Sequence, residues 1–254
     1  MEHDRADSRR LVAGRIEADR LTLTPLVVED ADDMVTVLAG QELYAFIGGE
    51  PPDLEGLRAR YARLAVGRSP DGRQEWLNWI LRRREDGQAV GTVQATVQSI
   101  VPTTALAAVQ ATAPTTALAT VQADVPTAAQ VTVRGVGPVS AEVAVPVAGQ
   151  VDRGAWRAEV AWVVGVAWQG RGYASEAAVA LAGWLRDRGV GLLQAHVHPD
   201  HEASMKVAAR AGLRATEVVE DGERLWQWER GGEHHPGPRR SRWIRDGGAV
   251  GWAL

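Results

Sequence analysis

The stretch AEVAWVVGVAWQGRGYASEA, residues 158–177, decides the fold. Its first part is rich in Val and Trp, which predicts a strand over residues 157–164. The loop QGRGYA, residues 169–174, leads directly into a segment with helical apolar periodicity, which predicts a helix over residues 172–188 that ends at Gly189. Gly170 and Gly172 allow the backbone to turn tightly and to approach a ligand without obstruction from a Cβ. The chain therefore contains a strand, a glycine-rich loop and a helix in direct succession.

This loop predicts a phosphate site. The amides of residues 170–174 converge at the N-terminus of the helix, where unpaired N–H groups and the positive end of the helix dipole favour an anion. Arg171 can add a charged contact. A glycine-rich turn that binds nothing is the alternative interpretation of the same residues.

Two other phosphate-binding motifs fit the loop poorly. The dinucleotide fingerprint G-x-G-x-x-G is met at Gly170 and Gly172, but Ser175 stands where its third glycine would be. No acidic residue closes a following strand at the distance that this fingerprint requires. The Walker phosphate loop is excluded because the Gly-Lys-Ser/Thr element is missing.

Strands and helices are predicted on both sides of this unit. Strands are predicted over residues 20–26, 75–83, 89–97 and 192–197, a hairpin over 215–219 and 223–229, and helices over 29–38, 53–66 and 201–211. Asp53 is placed to cap the second of these helices. The apolar face of that helix is expected to contain Leu54, Leu57, Tyr61, Leu64 and Ala65. The pattern is that of an α/β protein.

Composition excludes several classes of protein. The 254 residues carry 28 Lys and Arg against 32 Asp and Glu, a formal net charge of −4, which argues against a nucleic-acid partner. No apolar run is long enough for a membrane span, and the charged N-terminal segment is not expected to be a secretory signal. The absence of cysteine excludes disulfides and thiolate metal sites and favours a cytoplasmic protein. His234 and His235 lack further ligands at suitable spacing, so no metal site is predicted.

Residues 98–151 differ from the rest of the chain, because only three of these 54 residues are charged. Prolines recur every 12 residues, at Pro102, Pro114, Pro126 and Pro138. A repeat of this length accommodates a strand of about eight residues and a turn of about four. The side chains are mostly Ala, Thr and Val, which bury little area to offset the entropy of ordering. A mobile low-complexity insertion and a regular β structure therefore both remain open.

The glycine-rich loop resembles that of a known family. Gln169, Gly172 and Ala174 satisfy Q/R-x-x-G-x-G/A, the pyrophosphate-loop signature of the GCN5-related N-acetyltransferase (GNAT) superfamily. LQAHVHPDHEASMKVAARAGL, residues 193–213, is similar to the next strand and helix of that family. RLTLTPL at 20–26, DAD at 30–32 and GTV at 91–93 resemble its Rim-like branch, the ribosomal-protein-alanine acetyltransferase type. The resemblance covers about residues 16–98 and 155–230.

The resemblance implies a GNAT fold, a mixed twisted sheet flanked by helices, with the repeat inserted between two core strands. Acetyl-CoA would lie as a cosubstrate between two splayed parallel strands, residues 157–164 and 192–197, without a metal. Its pantetheine would bond backbone groups near Val163, Val164 and Gly165, like an added strand. The remaining contacts of acetyl-CoA would come from Gln169, Gly170, Arg171, Gly172, Tyr173, Ala174 and His201, the last standing where the family has Asn.

The resemblance also implies candidates for the chemistry. An amine must lose a proton, attack the thioester and expel a thiolate. Glu159 lies where several members carry a glutamate base, and Ser204 matches a family serine that can donate a hydrogen bond to the thiolate. His196 and His198 share one face of their strand by period-2 alternation and are alternative bases. The acid Tyr of many members has no counterpart beyond Tyr173, so a Tyr-acid mechanism is not expected.

The acceptor site in such folds is framed by the first two helices and the last hairpin. Here these are YAFIGG at residues 44–49, the helix 53–66, and Trp226 with Trp228. Glu42, Glu50 and Asp53 could attract a cationic amine, although ordinary solvated acids are the simpler interpretation. The remaining tryptophans considered, Trp76, Trp79, Trp162 and Trp168, are expected in the core or in a wall.

The sequence therefore predicts a cytoplasmic N-acetyltransferase that transfers acetyl directly from acetyl-CoA to a primary amine of a protein or small molecule. One domain, residues 16–230, would be interrupted by the insert 99–152 and flanked by tails 1–15 and 231–254. The alternative is a non-catalytic CoA-binding or interaction protein that uses the insert as a binding arm. Peptide N-terminus, lysine and small-molecule amines all remain open as acceptors.

Overall fold

The computed structural model describes residues 10–99 and 156–231, together with the backbone of residues 106–110 and 142–146. The strands and helices are β1 (Ile16–Glu17), β2 (Leu21–Pro25), α1 (Ala31–Val37), α2 (Tyr44–Ile47), α3 (Leu54–Ala65), β3 (Gln74–Arg83), β4 (Ala89–Ser99), β5 (Leu106–Gln110), β6 (Glu142–Pro146), β7 (Trp156–Val164), α4 (Tyr173–Asp187), β8 (Leu192–Val197), α5 (Glu202–Arg210), β9 (Arg214–Glu220) and β10 (Glu223–Glu229). None of the helices in this part of the chain is long and apolar enough to span a membrane.

Eight strands form one mixed sheet in the order β1-β2-β3-β4-β7-β8-β10-β9. Neighbours are antiparallel, except that β7 and β8 are parallel. Strands β4 and β7 pair from Gly91 opposite Val164 to Ser99 opposite Trp156, so the two strands that flank the repeat are neighbours. The predicted fold class, a mixed sheet flanked by helices with the repeat between two core strands, is confirmed.

The sheet separates two apolar clusters because strand side chains alternate between its faces. On one face, α4 packs over the centre of the sheet with Leu181 and Leu185, against strand residues such as Trp79 and Leu193. On the other face, the first three helices cover β3 and β4, with Met34 and Leu57 fully buried against Ile80. Both faces of the first half of the sheet are therefore covered, as two-layer packing of amphipathic helices requires.

Helix α3 shows how local sequence sets an element. Asp53 caps it as predicted, since its carboxylate accepts the Gly56 N–H at 2.7 Å. Leu57, Tyr61 and Leu64 recur at helical spacing and are buried. The predicted inclusion of Ala65 in the apolar face is wrong, because Ala65 is exposed in the last turn of the helix.

The predicted helix 29–38 begins differently from the prediction. A 3₁₀ turn at Val28–Asp30 precedes α1, and the Asp30 carboxylate accepts the Val27 N–H at 2.8 Å. Tertiary contacts select this start, because Arg82 of β3 forms an ion pair with buried Asp30 at 2.6 Å. The other predicted strands and helices agree with the structure within one or two residues at each end.

The chain divides into two compact units. The first, residues 1–100 and 152–254, contains the eight-stranded sheet, and the second spans residues 101–151. Its described part is a two-stranded antiparallel pair, with β5 from Leu106 opposite Pro146 to Gln110 opposite Glu142 of β6. This pair is consistent with the β interpretation of the repeat at those ten positions. The remaining repeat residues lie outside the described residues, as do residues 1–9 of the predicted tail 1–15 and residues 232–254 of the predicted tail 231–254, with His234 and His235.

Candidate active site

A gap opens between the two parallel strands. Strands β7 and β8 pair at Arg157–Leu192, Ala158–Leu193 and Glu159–Gln194, and the register ends there. Beyond Glu159, β7 continues along β4 to Val164, while β8 continues along β10 to Val197. Each strand keeps its outer partner, so the facing edges separate and leave main-chain groups free for a ligand. The splay expected from the sequence lies at this position.

The backbone direction along β7 shows which groups face the gap. Gly165 donates its N–H to Val90 O on the β4 side at 2.9 Å. Because backbone groups alternate in direction along a strand, Val163 also faces β4. Its carbonyl lies so close to Gly91 that a Cβ there would collide with it. The predicted pantetheine contacts at Val163 and Gly165 are therefore corrected, since the strand register directs their main-chain groups into the sheet.

Val164, in contrast, faces the gap, as do Val160 and Trp162 by the same alternation. The side-chain amide of Gln169 donates to Val164 O at 3.1 Å. This bond holds the loop against the end of β7. Gln169 therefore stabilises the loop conformation, whether or not it also contacts a ligand.

The glycine-rich loop leads into the N-terminus of α4. Gly170 and Gly172 have φ of 72° and 83°, a left-handed conformation that a side chain would strain. Gly172 is the N-cap of α4 and its carbonyl accepts the Glu176 N–H at 3.0 Å, so the amides of the first turn, including Tyr173 and Ala174, precede the helical ladder. A 15-residue helix thus presents its positive end at the end of β7.

An arginine that the sequence analysis did not single out anchors this loop. Arg20, just before β2, donates to Arg171 O at 3.0 Å and lies over the Tyr173 ring at 4.9 Å. Its Nε donates to Glu176 at 2.8 Å, and the same carboxylate accepts the backbone N–H groups of Arg20 and Leu21 at 2.6 and 3.0 Å. Sequence separations above 150 residues explain why no local pattern predicted these contacts.

Positive charge gathers beside the loop. The guanidinium groups of Arg83 and Arg171 lie 4.5 and 5.1 Å from the ring centre of Trp168. With Arg20, they place three arginines around the N-terminus of α4. Arg20 is paired with Glu176, and Arg83 with Glu85 and Asp86, so part of this positive charge is already balanced by carboxylates.

A cavity lies at the gap between β7 and β8. Its lining comprises Phe46, Val160, Ala161, Trp162, His196, Val197, His198, His201, Ser204 and Glu223. Both predicted catalytic residues are near this cavity. Ser204 lines it, and Glu159 contacts His196, which is part of its wall.

Glu159 and His196 form a hydrogen-bonded pair. The Glu159 carboxylate lies 3.2 Å from Nδ1 of His196, and Glu220 lies 3.7 Å from Nε2 of the same ring. Glu159 is 57% exposed and His196 only 17% exposed. The hydrogen bond that His196 donates to Glu159 raises the pKa of His196 above its usual value, and the charges of Glu159, Glu220 and Glu223 add to this against the opposing effect of burial. The ring therefore keeps its proton to higher pH than a free histidine does.

Ser204 is bonded to a tryptophan on the opposite face of β7. The indole Nε1–H of Trp162 donates to Ser204 Oγ at 3.3 Å. Trp162 packs with the cluster under α4, whereas Val163 lies in the cluster under the first three helices. Because alternate residues of a strand share a face, Glu159 lies on the same face as Val163. Glu159 and Ser204 are therefore on opposite sides of the sheet with the gap between them.

His201 and Phe46 form an aromatic wall. His201 is the N-cap residue of α5 and stacks on Phe46 with ring centres 4.4 Å apart. His198 lies 5.4 Å from the same ring. Burial, with the neighbouring charge of His198, lowers the pKa of His201. His201 thus has an aromatic partner in the position for which the resemblance implied a CoA contact, and Phe46 joins the wall from the segment predicted to frame the acceptor.

Trp226 and Trp228 do not frame this cavity. Leu225 of β10 pairs with His196, so Trp226 and Trp228 point to the other face, where they pack against the α4 cluster. Arg186 of α4 lies over the Trp228 ring at 4.3 Å. The register of β10 on β8 thus places both tryptophans on the α4 face of the sheet, and their role at the acceptor site stays a prediction.

The predicted acidic attractants are also arranged differently. Asp53 is engaged as the cap of α3, and Glu42 and Glu50 are exposed. The acids around His196 are instead Glu220 and Glu223, from the last hairpin, together with Glu159. Across the described ranges 10–99 and 156–231, no three His, Asp or Glu side chains are grouped to hold a metal ion.

Comparison with known proteins agrees with this fold. Residues 122–214 match the family model described as Acetyltransferase (GNAT) domain. This range begins within the repeat and contains β7, the glycine-rich loop, α4, β8 and α5. No curated protein matches the sequence. Over these residues the chain is similar to a GNAT acetyltransferase domain, which supports the predicted enzyme class, an N-acetyltransferase.

Solved structures share the fold at low sequence identity. An acetyltransferase of the GNAT family from Bacillus anthracis has a TM-score of 0.52 and 13% identity, over 85% of this chain and 98% of that one. A protein from Vibrio cholerae that is described as a ribosomal-protein-serine acetyltransferase has a TM-score of 0.51 and 13% identity, over 85% of this chain and 97% of that one. The aminoglycoside acetyltransferase AAC(6')-Ib, in complex with parmomycin and acetyl-CoA, has a TM-score of 0.51 and 16% identity, over 84% of this chain and 94% of that one.

Proposed function

We propose that this protein is an acetyl-CoA-dependent N-acetyltransferase that transfers acetyl directly to a primary amine, acting in the cytoplasm. The observation that carries the proposal is the gap between β7 and β8, with the Glu159–His196 pair on one face and Ser204 on the other. A thioester that passes through such a gap meets a proton acceptor on one side and a hydroxyl on the other. The Rim-like branch rests on the sequence resemblance at residues 20–32 and 91–93.

Acetyl-CoA would enter from the α4 side. Its pyrophosphate would bind the first-turn amides of α4, with Arg20, Arg83 and Arg171 supplying positive charge. Its pantetheine would then follow the edge of β7 that faces the gap, at Val160, Trp162 and the N–H of Val164, whose carbonyl is bonded to Gln169. This path leads from the loop to the cavity in the gap.

The chemistry needs two protons to leave the amine nitrogen. Glu159, supported by His196, takes a proton from the acceptor ammonium, directly or through a water. The free amine attacks the thioester carbonyl, the N–C bond forms, and the C–S bond breaks with its electron pair on sulfur. Ser204 donates a hydrogen bond to that sulfur. The two amine protons pass to Glu159 and to solvent, and one proton from solvent completes the thiol, so the reaction balances without an enzyme-bound intermediate.

Binding and turnover test the proposal together. Titration calorimetry with acetyl-CoA should show binding to the wild type, and Gly172→Glu should abolish it, because a carboxylate and a side chain would enter the left-handed N-cap beside Arg20. Gly183→Ala is the matched control on the same helix, since no atom lies within 4 Å of its added Cβ, and it should bind normally. A folded wild-type protein that binds no acetyl-CoA would contradict the proposal.

Turnover is measured as thiol release over peptides, lysine, polyamines and aminoglycosides. Glu159→Gln should lower kcat by about 100-fold, the usual contribution of a positioned base. Glu217→Gln, an exposed acid on β9, is the control and should be active. Binding without thiol release on any amine would instead support a non-catalytic CoA-binding protein.

A further inference from the structure

Trp162 bonds Ser204 in a way that leaves the serine hydroxyl free to donate. The indole Nε1 carries a hydrogen and has no acceptor lone pair, so in the 3.3 Å contact Trp162 donates and Ser204 Oγ accepts. Within residues 10–99 and 156–231, this is the one hydrogen bond made by the Ser204 hydroxyl. The Ser204 hydrogen is therefore not used by the neighbouring helical carbonyls, although early-helix serines often bond them.

Both residues line the cavity in the gap. Trp162 is on β7, on the edge that faces the gap, and Ser204 is in the first turn of α5, directly after the His201 cap. Trp162 packs against the α4 cluster, so its ring has little freedom to rotate away from Ser204. A hydrogen bond received at Oγ also polarises the O–H and makes the hydroxyl a better donor.

We infer that Trp162 is a positioning residue that orients the Ser204 hydroxyl as a hydrogen-bond donor to the departing thiolate. The inference rests on the proposed acetyl transfer and assigns a role to a residue that touches Ser204 rather than the reacting atoms. In the step concerned, the C–S bond breaks, sulfur keeps the electron pair, and Ser204 donates a hydrogen bond to it without losing its proton. The proton that completes the thiol comes from solvent.

A double-mutant cycle tests the inference. Trp162→Phe removes the indole donor and should lower kcat for thiol release about five- to tenfold, the effect of one hydrogen bond, with KM for acetyl-CoA changed less than about twofold. Ser204→Ala should lower kcat by about tenfold or more. The double variant should be no slower than Ser204→Ala, because Trp162 acts only through Ser204.

Trp156→Phe is the matched control. Trp156 lies on the same strand and the same face as Trp162 but does not line the cavity, so kcat of this variant should be unchanged. A double variant whose loss is the product of the two single losses would overturn the inference while leaving the proposed function intact. A wild type that releases no thiol with any amine would overturn both.

A measurement independent of turnover examines the contact itself. The indole ¹H–¹⁵N resonance of Trp162 should shift in Ser204→Ala, because its acceptor is lost, and should stay in place in Ser204→Thr, which restores the hydroxyl. A Trp162 resonance that is identical in the wild type and in Ser204→Ala would show that the bond is not made and would overturn the inference.

Discussion

Single residues at this site are defined by what lies opposite them in the sheet. Glu159 has His196 as a partner because β8 lies beside β7 at that register. His196 in turn faces three carboxylates, Glu159 from β7, Glu220 from β9 and Glu223 from β10. The base predicted from the resemblance is thus one member of a hydrogen-bonded pair with an imidazole whose pKa is raised, and the protonation of that pair should vary with pH.

The pH dependence has a definite sign. In the wild type the pKa of His196 is above its usual value, chiefly through the hydrogen bond to Glu159. Glu159→Gln should lower the pKa of His196, because the attraction is lost while burial still disfavours the charged ring. The chemical shifts of the imidazole carbon-bound protons in an NMR titration measure it. Glu217→Gln should leave the titration in place, and an unchanged pKa in Glu159→Gln would contradict the pairing.

The same pair links stability to pH. A histidine whose pKa is raised by folding adds stability that is fully present below its unfolded pKa and is lost as the pH rises through the folded value. The difference in unfolding free energy between the wild type and Glu159→Gln should therefore shrink as the pH rises through the His196 transition.

At the scale of elements, the start of α4 is joined to the start of β2. Glu176 is a first-turn acid, favourable by its place near the positive end of the helix dipole, and its side chain is only 13% exposed. It also accepts from two backbone N–H groups and one guanidinium at the start of β2. The helix N-terminus that would bind pyrophosphate is held against the sheet by these contacts.

Removing this carboxylate should cost stability. Glu176→Ala should lower the free energy of unfolding by about 2–3 kcal/mol, because the backbone N–H of buried Leu21 loses a charged acceptor. Glu55→Ala, at an exposed first-turn glutamate of α3, isolates the helix-dipole contribution and should cost about 0.3–1 kcal/mol. Denaturant unfolding compares the two, and equal losses would show that the strand contacts contribute nothing.

At the scale of the whole molecule, the insert joins two strands that are already neighbours. Ser99 and Trp156 are register partners at the ends of β4 and β7, so the chain could pass from one to the other through a two-residue turn. We propose on this ground that the interrupted domain, residues 16–230, is complete without residues 100–155. The insert would then act on the acceptor or on a partner rather than on folding.

Replacing residues 100–155 with Asn-Gly tests this. The variant should unfold cooperatively and bind acetyl-CoA with a Kd within about threefold of the wild type, because the gap and the α4 loop keep their packing. An acceptor screen on both proteins then shows whether the insert selects the amine. A soluble variant that has lost acetyl-CoA binding would contradict the proposal, as would a variant that fails to fold.

Local sequence determined much of this protein. Period-2 and helical apolar patterns set most strands and helices, Asp53 set a cap, and two glycines with positive φ set the loop before α4, because each depends on residues within a few positions. The family signature Gln169, Gly172 and Ala174 lies within that local unit, which is why the GNAT fold was predictable.

Only the tertiary structure decided which side chains meet. The Glu159–His196 pair, the Trp162–Ser204 bond and the Arg20–Glu176 anchor join residues 37, 42 and 156 positions apart. The face on which Trp226 and Trp228 lie was likewise decided by the tertiary structure, since a register shift of one residue exchanges the two faces of a strand. Strand order and register are set by burial over the whole sheet, and no short stretch of sequence contains that information.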